Sequence, residues 1–187
     1  MIAQTNLSNQ FLIAMPAMAD AFFTRSVTYL CQHGENGALG IVINRPSDLT
    51  LGDIFGQMNI ETSNEEANKI PVFFGGPVHP ERGFVIHEPA GQWDSTLEVA
   101  DGLALTTSRD ILEALAKGQG PEKVLIALGY AGWGKGQLEQ EILHNSWLNA
   151  PLDKGILFNL PAGQRWKAAV EGMGVNIALL SSQAGHA

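Results

Sequence analysis

The sequence predicts a mixed α+β fold in a single domain, on three observations. Strand-like segments come first and are separated by short glycine-bearing turns, helical periodicities gather later, and no regular βαβ unit repeats. With 187 residues, 45% of them hydrophobic, the chain is long enough for one sizeable core, and no linker or low-complexity stretch divides it.

Taken in order, the predicted elements are as follows. Gln10 to Met15, Ser26 to Gln32 and Leu39 to Asn44 read as strands, and His33-Gly-Glu-Asn-Gly37 between the last two is a turn by composition, which gives an antiparallel hairpin. Thr50 to Met58 reads as a short helix, with Thr50 as its cap and Leu51, Ile54, Phe55 and Met58 on one face. Glu61 to Lys69 is the most polar stretch and predicts a solvated surface segment. Val72 to Phe74 and Gly83 to Glu88 are strands around the Gly75-Gly-Pro-Val-His-Pro80 turn, and Thr96 to Val99 and Leu103 to Thr106 flank the Asp101-Gly102 turn. A helix from a Thr107 cap to Lys117 follows, because Ile111, Leu112, Leu115 and Ala116 form an apolar stripe and Gly118 stops it. Lys123 to Leu128 is the next strand, Gln137 to Asn145 a helix, Gly155 to Phe158 a short extended piece and Gln164 to Gly172 a helix; the tail from Val175 carries the apolar Ile177 to Leu180.

Charge narrows the function. Eleven basic against 19 acidic side chains give a net charge of −8, which repels polyanions, and no basic run offers an electrostatic footprint for DNA. Cys31 is the only cysteine, so no intrachain disulfide forms, and the uncharged N-terminus followed by the early Pro16 is neither a signal peptide nor a membrane span. These signs predict a soluble cytoplasmic protein.

The densest block is Gly129-Tyr-Ala-Gly-Trp-Gly-Lys-Gly136, predicted as a loop between strand and helix. It matches the first seven positions of a phosphate-binding G-x-x-x-x-G-K loop, but Gly136 replaces the hydroxyl residue that would hold magnesium, and no strand ends in the matching Asp. Its glycine amides can hold a smaller anion, or the block can be a tight turn in which Trp133 plugs the core, the commoner outcome. Asn44 and Arg45 sit at a predicted strand end, where Arg can fork onto a carboxylate or phosphate, or serve the turn and a neighbouring acid instead. Cys31 and His33, two apart on a strand, would share a face without an evident third catalytic member, and a lone cysteine in a β-rich run is more often core. His79, His87 and Glu88 lack the spacing of a zinc set. No nucleophile elbow, H-E-x-x-H helix or C-x-x-C pair occurs. The expectation is no catalytic residue, no metal and no cofactor.

Met15-Pro16 with Asp20, Arg25-Ser-Val27, Leu30-Cys-Gln-His33, Gly37-Ala-Leu-Gly-Ile-Val-Ile-Asn-Arg-Pro46, Gly75-Gly-Pro-Val78, Gly129-Tyr-Ala-Gly-Trp133 with Gln137-Leu-Glu139, and Leu179-Leu-Ser-Ser-Gln-Ala-Gly-His-Ala187 together resemble the AlgH/YqgE family, over nearly the whole chain and in order. The resemblance implies a bifurcated, strongly curled sheet folded into a flattened pseudo-barrel with helices outside, in a cytosolic bacterial protein. It also implies a role in transcriptional regulation, for which this acidic chain without a basic recognition helix would need an indirect route through a protein or small-molecule partner. The family's motif residues carry over as Asn44, Arg45, Pro46, Gly75, Gly76, Pro77, Gly129, Tyr130, Gly132, Trp133, Gln137 and Glu139. They are the candidate binding residues for a partner, with a binder or small enzyme for an anionic metabolite or nucleotide, held by Arg45 and the Gly129–Gly136 loop, as the alternative and direct DNA binding as the least favoured.

Overall fold

A computed structural model describes residues 6–174 apart from 17 and 19, so the predicted apolar tail from Val175 and the closing block of the resemblance lie outside the described residues. Its strands are β1 (Gln10–Ala14), β2 (Val27–Gly34), β3 (Gly37–Val42), β4 (Pro46–Thr50), β5 (Pro71–Phe74), β6 (Val78–Glu88), β7 (Thr96–Ala100), β8 (Leu103–Thr106), β9 (Lys123–Trp133) and β10 (Trp147–Pro151). The helices are α1 (Leu51–Gln57), α2 (Glu65–Asn68), α3 (Arg109–Ala116), α4 (Gln137–Leu143), α5 (Lys154–Phe158) and α6 (Ala162–Gly172).

The main sheet runs β10-β1-β2-β3-β9-β6-β8-β7, antiparallel throughout. The sheet forks at β9. Its first half takes β5 in parallel at Val72↔Ile126 to Phe74↔Leu128, its second half takes β3 at Ala38↔Trp133 to Gly40↔Ala131, and β6 runs along the other edge. β4 then pairs with β5. The result is a curled half-barrel, in agreement with the mixed α+β expectation.

Both faces of the sheet are apolar, so each needs a cover. The inner face, with Phe11, Tyr29, Ile41, Ile86, Leu103 and Leu125, packs against Trp166, Ala169 and Val170 of α6 and Ile156 and Leu157 of α5. The reverse face carries Val72, Val85 and Ile126 against α1 and α3. A third cluster gathers Leu12, Leu30, Trp133 and Trp147 under Leu138 of α4. α1 starts as predicted: Thr50 caps it, and the Asp53 carboxylate accepts from the Thr50 amide in return.

Several boundaries differ from expectation. The Gly129–Trp133 block is strand, because its glycines let β6 and the β5–β6 turn approach the backbone of β9. β4 and β10, unpredicted, exist through pairing with β5 and β1. Gly155 to Phe158 is helical: the Asp153 side chain caps α5 by accepting from the amides of Gly155 and Ile156. The cap of α3 is Ser108 rather than Thr107, and Asp110 accepts from Ser108 Oγ and from the amides of Asp94 and Ile111. The polar segment before β5 contains the short α2, capped by Asn64.

Candidate functional site

The Gly75–Pro77 turn lies backbone against backbone on Gly129 and Tyr130 and beside the end of β3. A Cβ on Gly76 would lie 1.9 Å from the Tyr130 carbonyl carbon, one on Gly75 would lie 2.5 Å from the Gly129 oxygen, and Gly129 itself has a φ of +77°. The Val42 amide donates to Gly75 O (2.8 Å), the Gly75 amide to Leu128 O (2.7 Å) and the Phe74 amide to Arg45 O (2.7 Å). Gly75, Gly76 and Pro77 thus form the crossover that joins β5 to β6 over β9. Only glycine fits at this separation.

Asn44 and Arg45 stand at the end of β3 and hold the 20–25 turn. Asn44 Oδ1 accepts from the Val27 amide (2.9 Å) and its Nδ2 donates to Arg25 O (2.9 Å). Arg45 donates through Nε to Phe22 O (3.0 Å) and through Nη2 to Thr24 O, while Pro46 opens β4. Within the glycine block Gly132 lies in the ladder opposite Leu39, and the Gly134 amide donates to Gln137 Oε1 (2.9 Å).

The far end of β9 is different. Tyr130, Gly132 and Trp133 line a cleft of about 600 Å³ with Gln32 to Leu39 of the β2–β3 hairpin and with Val78. Leu39 and Tyr130 also border the main core, so the cleft opens at the mouth of the half-barrel. Tyr130 stacks on the exposed His79 (ring centroids 6.2 Å apart) and meets the Phe84 edge at 5.6 Å. With Leu39 it also lines a second groove of about 410 Å³ toward Arg82, Leu97 and Thr96.

Behind the cleft wall the polar groups are tied together. The Leu7 amide donates to His33 Nδ1 (2.9 Å), so Nε2 carries the hydrogen that His33 gives to Glu139 Oε1 at 2.5 Å. The His33 hydrogen bond is the main influence holding the Glu139 carboxyl below the usual carboxylate range, against the opposing effect of burial. Glu141 Oε1 accepts from the indoles of Trp133 (3.0 Å) and Trp147 (2.9 Å), and its Oε2 from Gln137, whose Oε1 caps the Gly134 amide. His33 and Glu141 organise this end of the molecule, and sequence reasoning left Glu141 out and paired His33 with Cys31 instead of Glu139. The signal was present: Gln137 and Glu141 are one helical turn apart, and Glu139 and His33 both belong to the motif blocks.

The Cys31–His33 pair does not form. The strand bulges between Leu30 and Gln32, which breaks the alternation; Cys31 packs in the main core with its Sγ on Tyr29 O (3.6 Å), whereas His33 turns toward α4. Burial pushes the Cys31 thiol far up, so it is not a thiolate nucleophile. His79, His87 and Glu88 are likewise apart: His79 meets Glu81, His87 donates from Nδ1 to Pro89 O and bonds the Thr106 hydroxyl through Nε2, and Glu88 pairs with Lys154. Among the described residues no group of three His, Cys, Asp or Glu side chains is placed to hold a metal. No helix of the described residues is long and apolar enough to cross a membrane.

A forked, curled half-barrel with helices covering both faces of its sheet, built on a glycine crossover at β9, defines an AlgH-type domain. The AlgH-like family model matches residues 11–178, and the chain belongs to that family. It is 62% identical over 180 residues to a UPF0301 protein of Methylococcus capsulatus, covering 96% of each chain, and 58% identical over 187 residues to one of Thioalkalivibrio sulfidiphilus, covering 100% of each. Among solved structures it resembles the AlgH protein of Pseudomonas aeruginosa, with a TM-score of 0.81, 49% identity and coverage of 100% of this chain and 99% of that one. The protein DIP2367 of Corynebacterium diphtheriae shares the fold at a TM-score of 0.76 and 21% identity, covering 97% and 94%.

Proposed function

We propose that this protein is a non-enzymatic binding protein with a regulatory role, exercised through a protein or small-molecule partner seated in the cleft at the mouth of the half-barrel. The observation that supports it is the condition of the reactive groups there. Both ring nitrogens of His33 are engaged, its side chain is only 3% exposed, and the nearby thiol is closed in the core. What the cleft offers instead is an aromatic wall of Tyr130 and Trp133, glycine backbone and the polar hairpin tip of Glu35 and Asn36, a surface suited to contact rather than to bond making. The candidate residues then fall into three groups. Tyr130, Gly132 and Trp133 meet the partner, Gln137 and Glu139 support that wall, and Asn44 to Pro46 with Gly75 to Pro77 and Gly129 hold the frame. The lone buried cysteine and the bacterial relatives support a cytoplasmic setting.

The test is an amide NMR titration with nucleotides and with phosphorylated and carboxylated metabolites, run beside a turnover screen of the same compounds. Saturable shifts at Gly37, Tyr130 and Gly132 without product are expected if the partner is a small molecule, and an unmoved spectrum with no product directs the reading to a protein. Turnover that His33→Gln or Glu139→Gln abolishes would overturn it. Direct DNA binding predicts affinity that collapses with salt, and with a net charge of −8 no binding is expected even at low salt.

A further inference from the structure

The most unusual charge in the molecule is Arg165, on α6. It is 5% exposed, yet no carboxylate among the described residues pairs with it. Its Nε donates to Leu160 O (2.9 Å) and its Nη1 to Ile43 O, and the guanidinium carbon lies 5.0 Å from the centroid of the Phe73 ring. A guanidinium has five N–H donors, so three remain without an acceptor among the described residues. Burial pulls this group down to about 10. An unpaired buried cation is costly, and carbonyl dipoles compensate only part of a full charge.

Arg165 lines a cavity of about 330 Å³ that shares no lining residue with the cleft at the barrel mouth. Ile70, Pro71, Phe73, Leu157 and Phe158 make its apolar walls, and Lys123 and Asn159 stand at its polar side with one carboxylate, Glu122. Two cations against one acid make this a locally positive pocket in a chain of net charge −8. Such a volume suits a small organic molecule. We propose that this cavity binds a small organic monocarboxylate, its carboxylate on the free N–H groups of Arg165 and near Lys123, and its apolar portion along Pro71, Phe73 and Leu157. Arg165 therefore takes the anion-binding part that the sequence offered to Arg45, and it does so at a site separate from the proposed partner cleft.

The experiment is a titration of the labelled protein with hexanoate, hexanamide and inorganic phosphate, followed by the Arg165 Nε–Hε resonance and the amides of Phe73, Lys123 and Asn159. Hexanoate is expected to shift these resonances saturably and to bind at least tenfold more tightly than hexanamide, which has the same apolar chain without the charge. Lys123→Gln, at an exposed position, is expected to weaken hexanoate at least threefold without loss of the folded spectrum. Arg165→Lys should abolish binding if it folds, and the amide and Lys123 comparisons decide the matter if it does not. Equal binding of hexanamide, shifts confined to other residues, no saturable shift, or phosphate binding more tightly than hexanoate would each overturn the proposal.

Discussion

Replacing Gly76 by alanine should test the crossover on which the whole barrel mouth depends. The new Cβ would stand 1.9 Å from Tyr130 C, 2.1 Å from its carbonyl oxygen and 2.3 Å from the Ala131 nitrogen, all backbone atoms that no rotamer change can move aside. The turn must therefore lift off β9. That movement strains or breaks the bonds from the Val42 amide to Gly75 O and from the Gly75 amide to Leu128 O. Two hydrogen bonds at about 1 kcal/mol each and an overpacking strain of about 1–3 kcal/mol give a loss of roughly 3–5 kcal/mol. At a urea slope of about 2 kcal/mol per molar the unfolding midpoint should fall by about 2 M, or the variant should fail to fold. Gly83 is the control, since nothing lies within 4 Å of its added Cβ and it sits within β6. Gly83→Ala should be neutral or stabilising by up to about 1 kcal/mol. A Gly76→Ala midpoint within about 0.3 M of the wild type would refute the reasoning.

Three further outcomes are expected. Asn44→Ala removes the acceptor of the Val27 amide on a fully buried residue and should cost about 2 kcal/mol in urea unfolding; a change indistinguishable from zero would mean that the 20–25 turn needs no clamp. Because the Glu139 carboxyl is held below its ordinary value of 4.5, chiefly by the His33 hydrogen bond, it adds stability above that value which is lost as pH falls through its folded pKa. The urea midpoint of the wild type should therefore drop more steeply between about pH 5 and 3 than that of Glu139→Gln, and parallel curves would contradict the pairing. Cys31, buried with its thiol pushed far up, should resist a disulfide-exchange reagent at pH 8 in the native protein and react at once in urea; rapid native labelling would contradict its place in the core.

The elements legible in the sequence were those with a strong period or a local cap: the apolar stripe of α3, the Thr50 box of α1, and the β2–β3 hairpin around its glycine turn. Those missed depend on distant partners. The Pro46–Thr50 segment is polar and becomes a strand because β5 lies beside it, and Trp147–Pro151 does so because β1 does. The short apolar run of α5 carries no period to separate helix from strand, although Asp153 was a usable cap signal. At β9 the glycines read as loop, yet they are what allows two other backbones to cross a strand, a fact invisible without the neighbours. The same holds for the candidate site. Tyr130 and Trp133 could be named from the sequence, but not that the distant His33 and Glu139 would bond to each other behind them, nor that Arg165 rather than Arg45 would be the buried guanidinium beside a cavity.

The proposed role of the barrel mouth is tested most directly by photo-crosslinking in living bacteria, with a crosslinking residue at Asn36 on the cleft rim and, for comparison, at the exposed Glu65 on α2. A discrete adduct from Asn36, absent from Glu65 and lost when Gly132→Trp fills the cleft, is the expected result. Adducts that are the same at both positions, or that survive the filled cleft, would contradict a partner seated there.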